Sequence, residues 1–358
     1  MTKRLSVSAP GRICLFGEHQ DYLGLDVIAA AVGLRITVEG SRRGDQAFII
    51  ELPDIGGRDE FVLSGALPYV RRRDYLRSGL NVLRRAGAPV TSGWDIVVRG
   101  GIPINAGTAS SSALVVAWDR FLLEAGGDPR ARRPGELAEL GFQTEVAEFR
   151  EPGGRMDHYA AAYGGVIRLA FGEPLEVFRL EPPPGEFVLG DSLERKDTTG
   201  TLGSVKDRVL DGVARLRRRF PDFSLKRPLA PEVERLIDGF EPGVRNPLRG
   251  AFVNRDLTAA GAALFESRPF DDAVLGALLV RQQAVLRDAL GVSTPKLDRM
   301  IDAALSAGAL GGKLNGSGGG GCMFAYAPGR AGAVAEAVEK AGGKAYIIRV
   351  DEGSRVEG

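Results

Sequence analysis

Two cysteines in 358 residues, Cys14 and Cys322, are too few for a disulfide framework or a zinc site. Histidine is as scarce, present only at His19 and His158. No apolar run approaches the ~18 residues of a membrane span, and the N-terminus carries no apolar signal-peptide core. No membrane partner and a cytoplasmic location are therefore expected. The 47 basic and 46 acidic residues are interspersed and leave a net charge of +1, so nothing points to a nucleic-acid partner. The arginine runs Arg71–Arg73 and Arg217–Arg219 read as solvated helix faces. A hydrophobic share of 44% and a charged share of 26% describe an ordinary globular protein, and the length fits about two domains of ~150 residues each.

What is present begins with residues 8–24, Ser-Ala-Pro-Gly-Arg-Ile-Cys-Leu-Phe-Gly-Glu-His-Gln-Asp-Tyr-Leu-Gly. The apolar run Ile13 to Phe16 predicts a buried strand. A dense polar cluster follows at Glu18, His19, Asp21 and Tyr22, and the apolar run resumes from Val27 to Val32. Polar groups held between two apolar runs are partly desolvated and need hydrogen-bond partners, which a polyhydroxylated ligand would supply. The plain alternative is the polar turn of a hairpin.

The remaining pattern predicts strands across 36–63, a helix over 74–86, a strand over 94–98, helices over 112–123 and 134–150, and strands over 165–170 and 175–180. Glu181-Pro-Pro-Pro-Gly-Glu186 interrupts the chain, since proline fits neither a helix interior nor a central strand. A domain boundary is expected there, giving segments 1–180 and 181–358. Beyond it helices are expected over 205–220, 231–240, 249–265, 273–290 and 296–307. Strands over 322–327 and 345–350 flank a last helix. A strand-rich half followed by a helix-rich half with late strands makes an α+β protein of two lobes.

Three further segments carry chemistry. In 101–115, Ala106 and Gly107 let backbone approach a ligand, and Ser110, Ser111 and Ser112 open an apolar helix. Helix N-termini expose unpaired N–H groups that suit phosphate, and serine hydroxyls there can cap the helix or reach Mg²⁺. A ligand-free cap would need only one serine. No Gly-Lys-Ser/Thr follows, so this is not a Walker-type loop. In 151–165, Arg155-Met-Asp157-His158 follows a glycine pair and precedes a short alanine-rich helix, where Asp157 could serve merely as a cap. In 311–325, every residue from Gly316 to Gly321 except Ser317 is glycine, ahead of an apolar strand. Such a run passes backbone where a Cβ would clash, though it would also suit a plain hairpin loop.

Together these segments resemble one family. Gly-Arg-x-x-Leu-Phe-Gly-Glu-His-x-Asp-Tyr, residues 11–22, resembles the galactokinase signature of the GHMP small-molecule kinases, with Cys14 where galactokinases usually have Asn. The serine segment resembles the superfamily loop Pro-x-x-x-Gly-x-x-Ser-Ser-x-Ala, with Thr108 and Ala109 as mild departures. The stretch around Asp157 is similar to galactokinase Cys-Gly-Ile-Met-Asp-Gln, with His158 for Gln. The last segment resembles Lys-x-Thr-Gly-Ala-Gly-x-Gly-Gly-Cys, with Asn315 for Thr and Ser317 for Ala, and its surroundings are more like mevalonate kinases.

The resemblance implies the GHMP fold and an ATP- and Mg²⁺-dependent kinase of a small molecule, as a monomer or homodimer. ATP would lie on Asn105, Ala106, Gly107, Thr108, Ala109, Ser110, Ser111, Ser112, Gly316, Ser317 and Gly318. Ser111 and Glu145 would hold Mg²⁺, with Glu148 the rival carboxylate. Asp157 would be the catalytic carboxylate, with Arg12 beside it. Glu18, His19, Asp21, Tyr22 and Gly154 would bind the acceptor. Mevalonate kinases share Gly17-Glu18-His19 but usually continue with apolar residues, whereas Gln20-Asp21-Tyr22 follows the sugar kinases. Two carboxylates near a substrate carboxylate would cost on the order of 1–4 kcal/mol per close contact. A neutral sugar phosphorylated at its anomeric hydroxyl, galactose first, is thus expected. The alternatives are a mevalonate-type alcohol and a non-catalytic sensor of ATP and sugar.

Overall fold

The computed structural model describes residues 4–104, 107–195 and 198–358. β1 (Arg4–Phe16) and β2 (Val27–Arg42) form a long antiparallel pair, buried on both faces through Ile13–Phe16 and Val27–Val32, which is why those stretches read as unbroken apolar runs. β3 (Ala47–Leu52) and β4 (Gly57–Val62) form a hairpin, followed by α1 (Tyr75–Arg85) and β5 (Trp94–Gly100). α2 (Ser110–Gly126), α3 (Pro134–Phe142) and α4 (Met156–Tyr163) come next, then β6 (Val166–Ala170) and β7 (Glu176–Leu180). After the proline run lie β8 (Phe187–Asp191), α5 (Thr198–Arg219), α6 (Pro231–Asp238), α7 (Pro242–Glu266), α8 (Asp272–Ala284) and α9 (Pro295–Ser306). The chain closes with β9 (Gly311–Leu314), β10 (Cys322–Tyr326), α10 (Ala331–Lys340), β11 (Lys344–Ile348) and the two-residue β12 (Arg355–Val356).

The result is the mixed α+β architecture expected. One sheet runs β12-β1-β2-β5-β3-β4, with β6 on the start of β2 and β7 on β6. Only its β3–β5 pairing is parallel. The other sheet, β11-β8-β10-β9, is antiparallel throughout. α2 is apolar nearly all round, and Val116, Trp118, Phe121 and Leu122 are fully buried in the core of the first lobe. A helix with that pattern belongs inside a protein, and its buried position fixes where its N-terminal serines point.

Four sequence readings need correction. β8 and β9 were not expected: Phe187–Leu189 sits close behind the prolines, and Gly311-Gly312 lacks the β-branched signal of a strand. The predicted helix over 134–150 stops at Phe142 and passes into a single π turn, Gln143–Ala147. Arg71–Arg73 are not a helix face. They form a turn before α1, where Arg71 pairs with Asp59 and Arg73 with Glu151. Finally, α7 begins at Pro242, ahead of the apolar spacing, because proline suits the first helical position.

Candidate active site

β1 delivers Arg12 and then ends in a turn whose backbone is left-handed at His19 (φ 60°). This turn and the short helical turn Asp21–Leu23 place Glu18, His19, Asp21 and Tyr22 on one side of a cavity of about 290 Å³. The N-terminus of α2 supplies the opposite wall. Ala109 is left-handed (φ 59°), and Ser110, Ser111 and Ser112 form the first helical turn, with the unpaired N–H groups of any helix start. All three serines line the cavity, with Gly107, Ala109, Gly316 and Ser317. Thr108 and Gly318 do not line it. Thr108 is buried beneath the loop, its carbonyl accepting from the Arg12 N–H at 3.2 Å, and Gly318 lies against Val292. Asn105 and Ala106 lie outside the described residues.

Asn315 ties three segments together. Its Oδ1 accepts from the Cys14 N–H at 2.9 Å, and its Nδ2 donates to the carbonyls of Gly107 at 2.9 Å and Arg12 at 3.3 Å. Gly316 then passes so close to the serine loop that a Cβ would stand 2.7 Å from the Gly107 carbonyl oxygen. Only glycine fits there, and its φ of 79° suits only glycine as well.

Arg12 and Asp157 form a bidentate pair, Nε to Oδ1 at 2.8 Å and Nη2 to Oδ2 at 2.9 Å. Burial works against the Arg12 charge, but Asp157 outweighs it and raises the guanidinium pKa. Asp157 stands in the first turn of α4 with its side chain 29% exposed, reachable from the cavity. Asp21 faces the same helix start, accepting from the N–H of Tyr22 at 2.8 Å and of Met156 at 3.3 Å. Gly154 makes this approach possible, since a Cβ there would meet Asp21 Oδ2 at 1.9 Å. Burial, then the charge of Asp157, pushes the Asp21 carboxyl up to about 6.

Glu18 and His19 are more committed to the protein than the sequence suggested. Glu18 Oε1 is paired with the fully buried Lys313, while its Oε2 is buried without a hydrogen-bond partner. The His19 ring nitrogens face the Tyr22 hydroxyl at 3.0 Å and the Ser317 carbonyl at 2.9 Å, so His19 braces the turn against the glycine loop.

The π turn directs Glu145 into the cavity, beside Ser111 and Ser112, an extra-residue device common at functional sites. Burial alone would raise its pKa. The 2.8 Å bond to His158 Nε2 and the hydroxyls of Ser111 and Ser112 outweigh that and hold the carboxyl below its ordinary value. Glu148, the rival, points elsewhere, to Tyr69 and Arg85. Among the described residues no group of three or more His, Cys, Asp or Glu could hold a metal alone. One carboxylate and a hydroxyl do fit Mg²⁺, which usually takes one or two carboxylates and fills its shell with phosphate and water. His158→Leu, which unties Glu145, is expected to weaken Mn²⁺ binding in the presence of ATP by 10–100-fold in electron paramagnetic resonance titrations. Unchanged binding would leave His158 as packing only.

The sequence did not mark Arg73, Tyr75 or Glu151, which line the cavity mouth. Arg73 is left-handed (φ 58°) and meets Glu151 through two bonds, at 2.5 and 2.8 Å. No local spacing joins residues 78 positions apart.

Comparisons with known proteins agree with this geometry. Family models described as "GHMP kinases N terminal domain" and "GHMP kinases C terminal" match residues 74–165 and 248–344, and a "Galactokinase galactose-binding signature" matches residues 2–42. A mevalonate kinase of Pyrococcus horikoshii is 32% identical, over 100% of this chain and 99% of its own. The galactokinase of Lactococcus lactis, solved with galactose, superposes with a TM-score of 0.83 at 23% identity, covering 99% of this chain and 95% of its own. The mevalonate kinase of Methanococcus jannaschii gives a TM-score of 0.75 at 18% identity, covering 98% and 99%. With whole-length kinship, the two-lobed fold and the serine loop in place, the chain belongs to the GHMP kinases and is an ATP- and Mg²⁺-dependent kinase of a small substrate.

Proposed function

We propose that the acceptor is a neutral monosaccharide, phosphorylated at its anomeric hydroxyl to give a sugar 1-phosphate and ADP, with galactose the first candidate. The observation that carries this reading is the charge of the cavity. Its two cationic lining residues among those described, Arg12 and Arg73, are each held bidentately by a carboxylate, Asp157 and Glu151. An acceptor carboxylate would meet Asp21 and Asp157 with neither cation uncommitted. Sugar hydroxyls instead can donate to Asp21, which lines the cavity.

In this reading Asp157 orients the acceptor hydroxyl and takes its proton at a carboxylate oxygen, and Arg12 holds Asp157 in place. The α2 N-terminus and the loop at Gly316–Ser317 hold the phosphates, and Ser111 and Glu145 would hold Mg²⁺. When bound, the ion neutralises charge on the transferred group. A second reading, a mevalonate-type alcohol, is favoured by the whole-length similarity to the Pyrococcus horikoshii mevalonate kinase. An ADP-release assay over galactose, other hexoses, pentoses and mevalonate decides between them. Turnover of a sugar at least tenfold above mevalonate is expected. The reverse order would overturn the proposal.

Asp21 gives the reading a pH signature. Its carboxyl, raised to about 6, accepts hydroxyl hydrogen bonds fully only when ionised, so kcat/KM for the sugar is expected to rise as pH increases through about 6. Asp21→Asn should abolish that limb and lower kcat/KM by roughly ten- to a hundredfold, the worth of a charged hydrogen bond, with ATP affinity nearly unchanged. The stability effect has the opposite sign. The folded state binds the Asp21 proton more tightly than the unfolded chain, so its contribution declines from pH ~4 to about 6 and stays low above. Relative to wild type, the variant should thus melt higher at pH 8 than at pH 4. No such change in the melting difference would refute the burial of Asp21 charge as its cause.

A further inference from the structure

A second cavity, of about 240 Å³, opens where α2, the turn at Pro129–Arg132, the end of α4, β7 and the C-terminal segment 352–355 meet. None of its lining residues belongs to the cavity described above. Four arginines line it, Arg120, Arg132, Arg179 and Arg355, against a single carboxylate, Glu352. An adjoining groove shares Arg120, Arg132 and Arg355 and adds Glu124.

These arginines are only partly satisfied. Arg120 spends its Nη1 on the Ser354 carbonyl and hydroxyl, and its Nε is buried with no hydrogen-bond partner. The nearest Glu124 oxygens stand 3.7 Å from Arg120 and 3.5 Å from Arg132. Glu124 is thus one anion shared by Arg120 and Arg132, and at those distances it holds each only loosely. Arg179 lies over the Tyr163 ring at 5.5 Å and makes no ion pair among the described residues. Arg355 is the best paired of the four, to Glu357 at 3.1 Å, Glu352 at 3.4 Å and Asp351 at 3.8 Å. By contrast, Arg12 and Asp157 meet at 2.8 Å. Buried guanidinium donors left unmet cost stability, and several cations gathered with few anions repel one another. Burial lowers the Arg120 pKa, Glu124 opposes that shift, and neighbouring Arg132 and Arg35 add to it.

We propose that this cavity is a binding site for a small phosphorylated anion, separate from the catalytic pocket. Guanidinium forks match the oxygens of a phosphate group in pairs, and Arg120, Arg132 and Arg179 all line this one cavity, where an anion would add to the charge of the shared Glu124. The place is also connected to the chemistry. Tyr163 ends α4 in this cavity, and Asp157 begins the same helix in the other, about 9 Å of helix apart. The C-terminal segment that completes the wall is bonded to that helix, Ser354 N–H to the Ala161 carbonyl at 2.8 Å.

The test is calorimetric titration of the full chain with inorganic phosphate, with Mg²⁺ and a non-hydrolysable ATP analogue saturating the serine loop. One saturable equivalent of phosphate is expected for wild type. Binding should weaken at least tenfold in the double variant Arg132→Ala/Arg179→Ala, whose residues are both exposed and outside the catalytic machinery. Arg120→Lys keeps the charge but loses the fork, and should also bind more weakly. Should the double variant fail to fold by circular dichroism, Arg179→Gln alone gives the same reading. Absence of saturable binding in wild type, or equal affinity in the folded variants, overturns the proposal.

Discussion

Asp157→Asn is expected to reduce kcat by at least 10²–10⁴-fold while ATP and the acceptor still bind. General-base contributions fall in that range, and Asn offers no site for the proton. The change is nearly isosteric, and Arg12 keeps further bonds to the protein, Nη1 to the Gly107 carbonyl at 2.5 Å and N–H to the Thr108 carbonyl. The lobes and the serine loop should therefore stay assembled. Steady-state kinetics with calorimetric binding of both substrates separates the two effects. A loss below about tenfold would demote Asp157 to a helix cap, with Glu145 the next carboxylate in the cavity to test.

Lys313→Met should have the largest effect on stability. Lys313 is fully buried in β9, where its Nζ donates to the Cys14 carbonyl at 2.9 Å, the Leu314 carbonyl at 3.0 Å and Glu18 Oε1. It also stands over the Phe324 ring at 4.9 Å. Removing the cation leaves the buried Glu18 carboxylate without its paired cation and with one oxygen already unpartnered. Breaking one side of such a pair costs about 3–5 kcal/mol, whereas replacing both partners by apolar groups is often close to neutral. Urea unfolding should thus show a large loss for Lys313→Met and substantial recovery in Glu18→Leu/Lys313→Met. If the single change costs less than about 1 kcal/mol, Glu18 is either neutral or hydrated in the folded protein.

The sequence carried the parts of the site that are local in the chain. The serine start of α2 was legible because a small-residue loop before an apolar helix has one main structural outcome, and the cluster after Gly17 because polar groups between apolar runs need a partner. Gly154 was placed by resemblance alone, and its physical reason, the approach of Asp21, appears only in three dimensions. Glu18 was misjudged in part because its counter-ion, Lys313, is 295 residues away. The Arg73–Glu151 pair was missed for the same reason, and Arg73 was hidden further by lying in an arginine run that looked like solvated surface. Glu145 and Glu148 were inseparable by spacing, since the π turn that aims the first into the cavity leaves no periodic trace. Strand β8 was obscured by its neighbours: three prolines just upstream advertise a break, yet Phe187–Leu189 sits inside the smaller sheet between β10 and β11.

β12 bears on how the protein is made. Val356 pairs with Val7 and Arg355 with Ser8, so the outer side of β1 is covered at Val7–Ser8 by residues far later in the chain. During translation the first lobe must persist with that edge bare, and an uncovered strand edge is a template for pairing with other chains. Aggregation of nascent chains should therefore concentrate at Val7–Ser8 until residues 355–356 have emerged to cover them.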